Sequence, residues 1–228
     1  MADILFVLTG SKVWTLNDGT AHPTGFWAEE AVVPYRAFTE AGHRVTVATP
    51  AGVVPVADGA SLTDPAMAEE LPKIEEFRHP VVLAEVDPAD YDVVYYPGGH
   101  GPMEDLAVDP DSGRLLTRAL ASGRPLGVVC HGPAALLAAR GEQGGSPFAG
   151  YRVTGFTNLE EAQAGLADRA PWLLQDELVE LGVEFEEGEP WAPHVVVDRN
   201  LVTGQNPASS GPVAAELLKL LRVPAAQR

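Results

Sequence analysis

Short runs of consecutive apolar residues, each broken off after a few positions, constrain this chain more than any other feature. Ile4-Leu5-Phe6-Val7-Leu8 stops at Thr9-Gly10, and similar runs follow at Val45-Thr46-Val47-Ala48, Val93-Val94-Tyr95-Tyr96, Leu126-Gly127-Val128-Val129 and Val195-Val196-Val197 with Leu201-Val202. A strand with one wet face alternates apolar and polar residues; a run that is apolar at nearly every position is buried on both faces, as in a parallel sheet covered by helices. Most of these runs are separated by segments with helical spacing, over 26–41, 112–121, 133–139, 159–165, 171–181 and 208–221. Alternating strands and helices imply right-handed crossovers and a doubly wound α/β fold. Pro34 falls within the first helical pattern, where it is expected to kink the helix or shift its start. The stretch from 50 to 88, rich in proline and acids, reads as an irregular excursion with a small hairpin or helical turns. No linker divides the chain, so residues 1–228 are expected to form one domain.

Charge narrows the partners. The 32 Asp and Glu against 15 Lys and Arg give a formal charge of -17, which opposes broad contact with nucleic acid or anionic lipid. No apolar run approaches the roughly 18 residues that a membrane-spanning helix needs. Cys130 is the one cysteine, so no intrachain disulfide is expected. Met1-Ala2-Asp3 lacks the basic stretch of a secretory signal, and the expected location is the cytoplasm.

Chemistry is concentrated around Cys130. The segment Leu126-Gly-Val-Val-Cys130-His131-Gly132-Pro133-Ala-Ala-Leu-Leu-Ala-Ala-Arg140 reads as strand, sharp turn, helix, with Pro133 suited to the first helical position. The positive end of that helix is expected to lower the pKa of the thiol and make the sulfur nucleophilic, in a layout like the nucleophile elbow of hydrolases. A lone cysteine is commonly a small buried hydrophobe; its place on the turn argues for the nucleophile. His131 follows directly, where an imidazole can exchange a proton with the sulfur. The remaining histidines are scattered without metal-ligand spacing, so no metal is expected.

Three other segments stand out. Pro97-Gly98-Gly99-His100-Gly101 follows a buried strand, and its glycines free backbone amides to point into a pocket. Glu29-Glu30 opens the first helix, where only one of two neighbours can face inward and both are equally suited to a solvated first turn. Glu160-Glu161, after Gly155-Phe156-Thr157-Asn158, offers the same choice.

Taken together, Thr24-Gly25…Glu30 with Pro34-Tyr35, Pro97-Gly98-Gly99-His100-Gly101, Val129-Cys130-His131-Gly132-Pro133, Val153-Thr154-Gly155-Phe156-Thr157-Asn158 with Glu161, and Leu201-Val202-Thr203-Gly204-Gln205-Asn206-Pro207-Ala208-Ser209 resemble the ThiJ/PfpI superfamily over nearly the whole chain. The superfamily shares its fold with class I glutamine amidotransferase domains. The resemblance is nearest to the branch of stress proteins described as cofactor-independent glyoxalases (glyoxalase III), protein deglycases and holding chaperones. It implies a flavodoxin-like three-layer α/β/α sandwich with a mostly parallel central sheet, and a homodimer. Cys130 would be the nucleophile, Glu30 the buried acid beside it, His131 the proton shuttle and Glu161 the carboxylate that orients the histidine. The backbone of Gly99 and of His131 would hold an oxyanion, with His100, Trp27 and Phe156 around the substrate.

The activity so implied is conversion of methylglyoxal or a related small 2-oxoaldehyde to a 2-hydroxy acid through a cysteine hemithioacetal, without cofactor or metal. The alternatives are a thiol amidase or peptidase of the PfpI type and a redox-sensitive stress chaperone. An acid packed against the nucleophile suits carbonyl addition better than displacement of an amine. A chaperone would need an exposed apolar patch, which Phe26, Trp27, Trp172 and Trp191 are candidates to supply.

Overall fold

The computed structural model describes residues 1–141 and 143–222. In chain order the strands are β1 (Asp3–Val7), β2 (Val13–Thr15), β3 (Ala21–Pro23), β4 (Arg44–Thr49), β5 (Val81–Val82), β6 (Val93–Tyr96), β7 (Leu126–Val129), β8 (Arg152–Val153), β9 (Glu184–Phe185), β10 (Val195–Asp198) and β11 (Leu201–Gly204). The α-helices are α1 (Ala28–Glu40), α2 (Pro65–Glu70), α3 (Gly101–Glu104), α4 (Pro110–Ala121), α5 (Asn158–Ala164), α6 (Leu174–Glu180) and α7 (Ser210–Arg222). Each apolar run is a strand of one seven-stranded sheet, ordered β10-β11-β7-β6-β1-β4-β5. Every pairing in it is parallel except β10 with β11, so the expected mostly parallel α/β sandwich is what the chain forms. β1, β6, β7 and β11 bury nearly every residue.

Connectivity places the site. From β1 the chain passes through α1 to β4 on one side, and from β6 through α4 to β7 on the other. With right-handed crossovers, α1 and α4 cover opposite faces and the winding reverses between β1 and β6. A crevice opens at the carboxyl ends of the strands beside such a reversal, where the loop after β6 and the turn after β7 come together.

One expectation needs correction, and two open ones are narrowed. The segment read as a helix over 133–139 is a 3-10 helix, Gly132–Ala138, because tertiary packing of a buried Ala-Leu stretch overrides its α propensity. Helix α1 continues through Pro34 instead of starting later. Of the two forms expected for 50–88, the chain takes the second, short helical turns together with β5; the hairpin of β2 with β3 lies earlier in the chain. Residues 56–58 of the 50–88 stretch clamp the chain before α1, with the amide of Phe26 donating to the Val56 carbonyl and that of Asp58 to Phe26.

Candidate active site

Cys130 directly follows β7 with φ +58°, a left-handed conformation that is costly for a residue with a side chain. Both of its backbone groups are held: its amide donates to the Gly204 carbonyl at 2.9 Å, and its carbonyl accepts from Phe156 at 2.9 Å. The turn is thus tied to the sheet, and the sulfur sits at the carboxyl end of its strands while only 3 % of the residue is exposed.

Of the two acids that open α1, the fold turns Glu30 inward, fully buried, and leaves Glu29 half-buried. The start of the helix is tied to the glycine loop by the Trp27 amide, which donates to the Gly98 carbonyl. In return the Gly98 amide donates to Oε2 of Glu30 at 2.6 Å. Gly98 cannot be anything larger: a Cβ there would stand 2.6 Å from the His131 nitrogen and 2.8 Å from Glu30 Oε2. Among the described residues Oε1 of Glu30 has no hydrogen-bond partner, and the carboxyl is close enough to the Cys130 side chain for the two to influence each other's pKa. Burial, which penalises the charged form, pushes Glu30 up to about 8. The carboxyl therefore keeps its proton at neutral pH and is a donor toward the sulfur.

Burial also pushes the Cys130 thiol up, and the charge of Glu30 adds to this whenever the carboxyl ionises. The expected lowering by a helix N-terminus is overturned, since the following helix is a short 3-10 turn and desolvation outweighs it. The backbone amides of Gly99 and His131 act the other way and lower the pKa of the thiol, and a protonated Glu30 carries no charge to oppose the thiolate.

The adjacent acids after Thr157 divide their work. Glu160 closes a capping box with Thr157 and accepts from the Trp191 amide and the Asn206 side chain, both at 2.9 Å. Glu161 faces the site. Its Oε2 accepts from His131 Nε2 at 2.7 Å and its Oε1 from His100 Nε2 at 2.9 Å. Desolvation opposes the charge of Glu161, but the two imidazoles outweigh it and hold the carboxylate well below its ordinary pKa. An ionised carboxylate only accepts, so both Nε2 atoms carry hydrogen and His131 Nδ1 is left with its lone pair. That Nδ1 lies 3.4 Å from the Cys130 sulfur. Burial and the neighbouring His100 lower the pKa of His131, so the ring is a neutral base.

Sequence reasoning had not paired His100 with Glu161. It also missed Trp14, which stacks on His100 at 4.8 Å between ring centroids and 17° between planes. Phe156 packs on His131 at 4.4 Å, whereas the Trp27 ring makes none of the aromatic contacts found around the two histidines. Among the described residues, His100, His131 and Glu161 are also the one buried group with metal-ligand atoms close together. Their 2.7 and 2.9 Å separations are those of hydrogen bonds, which account for the arrangement without an ion.

The arrangement is a buried thiol with a neutral carboxyl on one side, an oriented neutral imidazole on the other, and two amides beside it. The DJ-1/PfpI family model matches residues 22–220, which includes every residue of this constellation. The chain belongs to the DJ-1/PfpI family. It is 27 % identical to Glyoxalase 3 of Candida albicans over 232 residues, 96 % of this chain and 98 % of that protein. The crystal structure of glyoxalase III from the same organism superposes with a TM-score of 0.85 at 25 % identity, covering 96 % of this chain and 97 % of the other. "Protein/nucleic acid deglycase HchA" of Staphylococcus aureus is 29 % identical, covering 91 % of this chain and 75 % of that protein. "Glutamine amidotransferase-like class 1 domain-containing protein 1" of Bos taurus is 35 % identical over 148 residues, 65 % of this chain and 67 % of the other. Enzymes of aldehyde and glycation chemistry are therefore among the DJ-1/PfpI relatives of this chain. Among the described residues no helix is long and apolar enough to cross a membrane.

Proposed function

We propose that this DJ-1/PfpI protein is a cofactor-independent glyoxalase that converts methylglyoxal or a related 2-oxoaldehyde to the 2-hydroxy acid. The observation that carries this reading is the pairing at one sulfur of a neutral buried acid, Glu30, with a neutral base, His131, whose tautomer Glu161 fixes. Hydrolysis of an amide needs a base and an oxyanion site; isomerising an oxoaldehyde also needs a second group to carry a proton between adjacent carbons, and Glu30 is that group.

In the proposed reaction His131 Nδ1 takes the thiol proton as the sulfur adds to the aldehyde carbon. The new oxyanion is held by the Gly99 and His131 amides and protonated to a hemithioacetal. Removal of the proton from the former aldehyde carbon gives an enediol, and return of a proton to the adjacent carbon gives a thioester bearing a hydroxyl. Water then cleaves the thioester, releasing lactate and the thiol. One methylglyoxal and one water are consumed, with no net redox change. The family likeness to a deglycase favours a second use of the same residues on glycated protein side chains, and the charge of -17 favours protein over nucleic-acid adducts. As in the sequence-based reading, a homodimer in the cytoplasm is the proposed working form.

The deciding experiment is lactate formation from methylglyoxal in the absence of glutathione. Turnover that disappears with Cys130→Ala supports the reading; wild-type protein that makes no lactate from methylglyoxal or phenylglyoxal product from phenylglyoxal removes it.

A further inference from the structure

Pro34 lies in the middle of α1 and has no amide hydrogen, so the carbonyl four residues earlier, that of Glu30, receives no bond from its own helix. A buried carbonyl needs a donor from somewhere. It comes from another element: the Tyr95 hydroxyl on β6 donates to the Glu30 carbonyl at 2.8 Å. Both residues are fully buried. The tyrosine ring is wedged in place, with Phe6 of β1 at 4.8 Å between centroids and Gly127 of β7 directly opposite. A Cβ at Gly127 would lie 3.0 Å from the Tyr95 ring and 2.6 Å from Leu217, so the glycine is what makes room for the ring. The backbone of the acid beside the nucleophile is thus anchored to the rigid centre of the sheet at the one point where its helix releases it.

We propose that Tyr95 is a positioning residue for Glu30: its hydroxyl replaces the amide that Pro34 lacks and so sets the Glu30 carboxyl against the Cys130 sulfur. This rests on the reading that Glu30 serves that sulfur, and the test addresses the sulfur directly, whatever the substrate. The rate of Cys130 alkylation by iodoacetamide is measured against pH, with lactate formation alongside. The titratable groups around the pair are Glu29 on α1, His131 with Glu161 and His100 behind it, and Tyr95 itself.

In Tyr95→Phe the inflection of the alkylation profile moves by about half a pH unit or more. Its kcat falls at least about tenfold, with KM changed by less than about twofold. Tyr95→Phe combined with Pro34→Ala supplies the missing amide and regains the wild-type inflection and most of the activity. Leu178→Ala, a packing change on α6, lowers stability without moving the inflection. If Tyr95→Phe fails to fold, the double variant must fold and alkylate as the wild type does. An unmoved inflection in Tyr95→Phe, or a double variant that recovers nothing, overturns the proposal. Where Glu30→Gln moves the inflection and Tyr95→Phe does not, only the role of Tyr95 fails; where neither moves it, the reading of Glu30 fails as well.

Discussion

Replacing Glu161 by glutamine tests the base side of the site with little change in shape. The carboxylate now accepts from two imidazoles, at 2.7 Å from His131 and 2.9 Å from His100. Glutamine has one acceptor oxygen and one NH2, so only one of the two Nε2–H groups keeps its acceptor. The larger effect is on charge. When His131 takes the thiol proton it becomes an imidazolium facing Glu161, which is 3 % exposed. With charge centres about 4 Å apart and an effective dielectric of about 20, their attraction is about 4 kcal/mol. An amide forfeits nearly all of it, which corresponds to about a thousandfold in rate, and any population with the hydrogen on Nδ1 adds to the loss. We therefore expect Glu161→Gln to reduce kcat for lactate formation about a thousandfold while KM changes little. Stability should respond with a definite sign. The folded pKa of Glu161 is depressed, so its contribution is present above the ordinary carboxylate range and is lost as pH falls through the folded value. The variant should lack that component of acid sensitivity in thermal melts. Activity within about tenfold of wild type would refute the triad reasoning.

Cys130→Ala should fold and make no lactate; residual turnover above about a tenth of wild type rules out a covalent intermediate on this sulfur. Glu30→Gln should abolish turnover while Glu29→Gln leaves it nearly intact, and the reverse result would mean that the wrong acid has been placed at the sulfur. Because the folded pKa of Glu30 lies above its unfolded value, wild-type stability should decline as pH rises from about 4.5 toward about 8. Glu30→Gln should not show that decline in melts recorded across the same range. Gly98→Ala places a methyl against the His131 nitrogen, Glu30 Oε2 and the Val129 carbonyl, all within 2.8 Å; it should cost both activity and several degrees of Tm, and a fully active, stable variant would show that the loop yields.

The sheet was legible because burial on both faces leaves uninterrupted apolar runs, and Cys130 because a turn after such a run presents one side chain. The sequence marks Pro34 only as an interruption of its helix; that its missing amide is answered by Tyr95 depends on a hydroxyl 65 residues from Glu30. The choice between Glu160 and Glu161 was in the sequence after all. Thr157-x-x-Glu160 is a capping box, which commits Glu160 to the helix start and leaves Glu161 free to turn inward. His100 carried no comparable signal. Its partner lies 61 residues on, in an element that only the tertiary fold brings to the glycine loop, and Trp14 reaches the same histidine from a hairpin with no strong pattern.

The backbone of Cys130 has an evolutionary side. With φ at +58°, the position is one that folding alone would assign to glycine, which adopts that conformation without strain. The usual ranking of alanine above glycine should be weakened or inverted here, and a side chain at 130 carries a conformational handicap of order 1 kcal/mol in this chain. A copy released from selection for the chemistry of the sulfur would be expected to drift toward glycine at this position, leaving an intact fold with a silent centre.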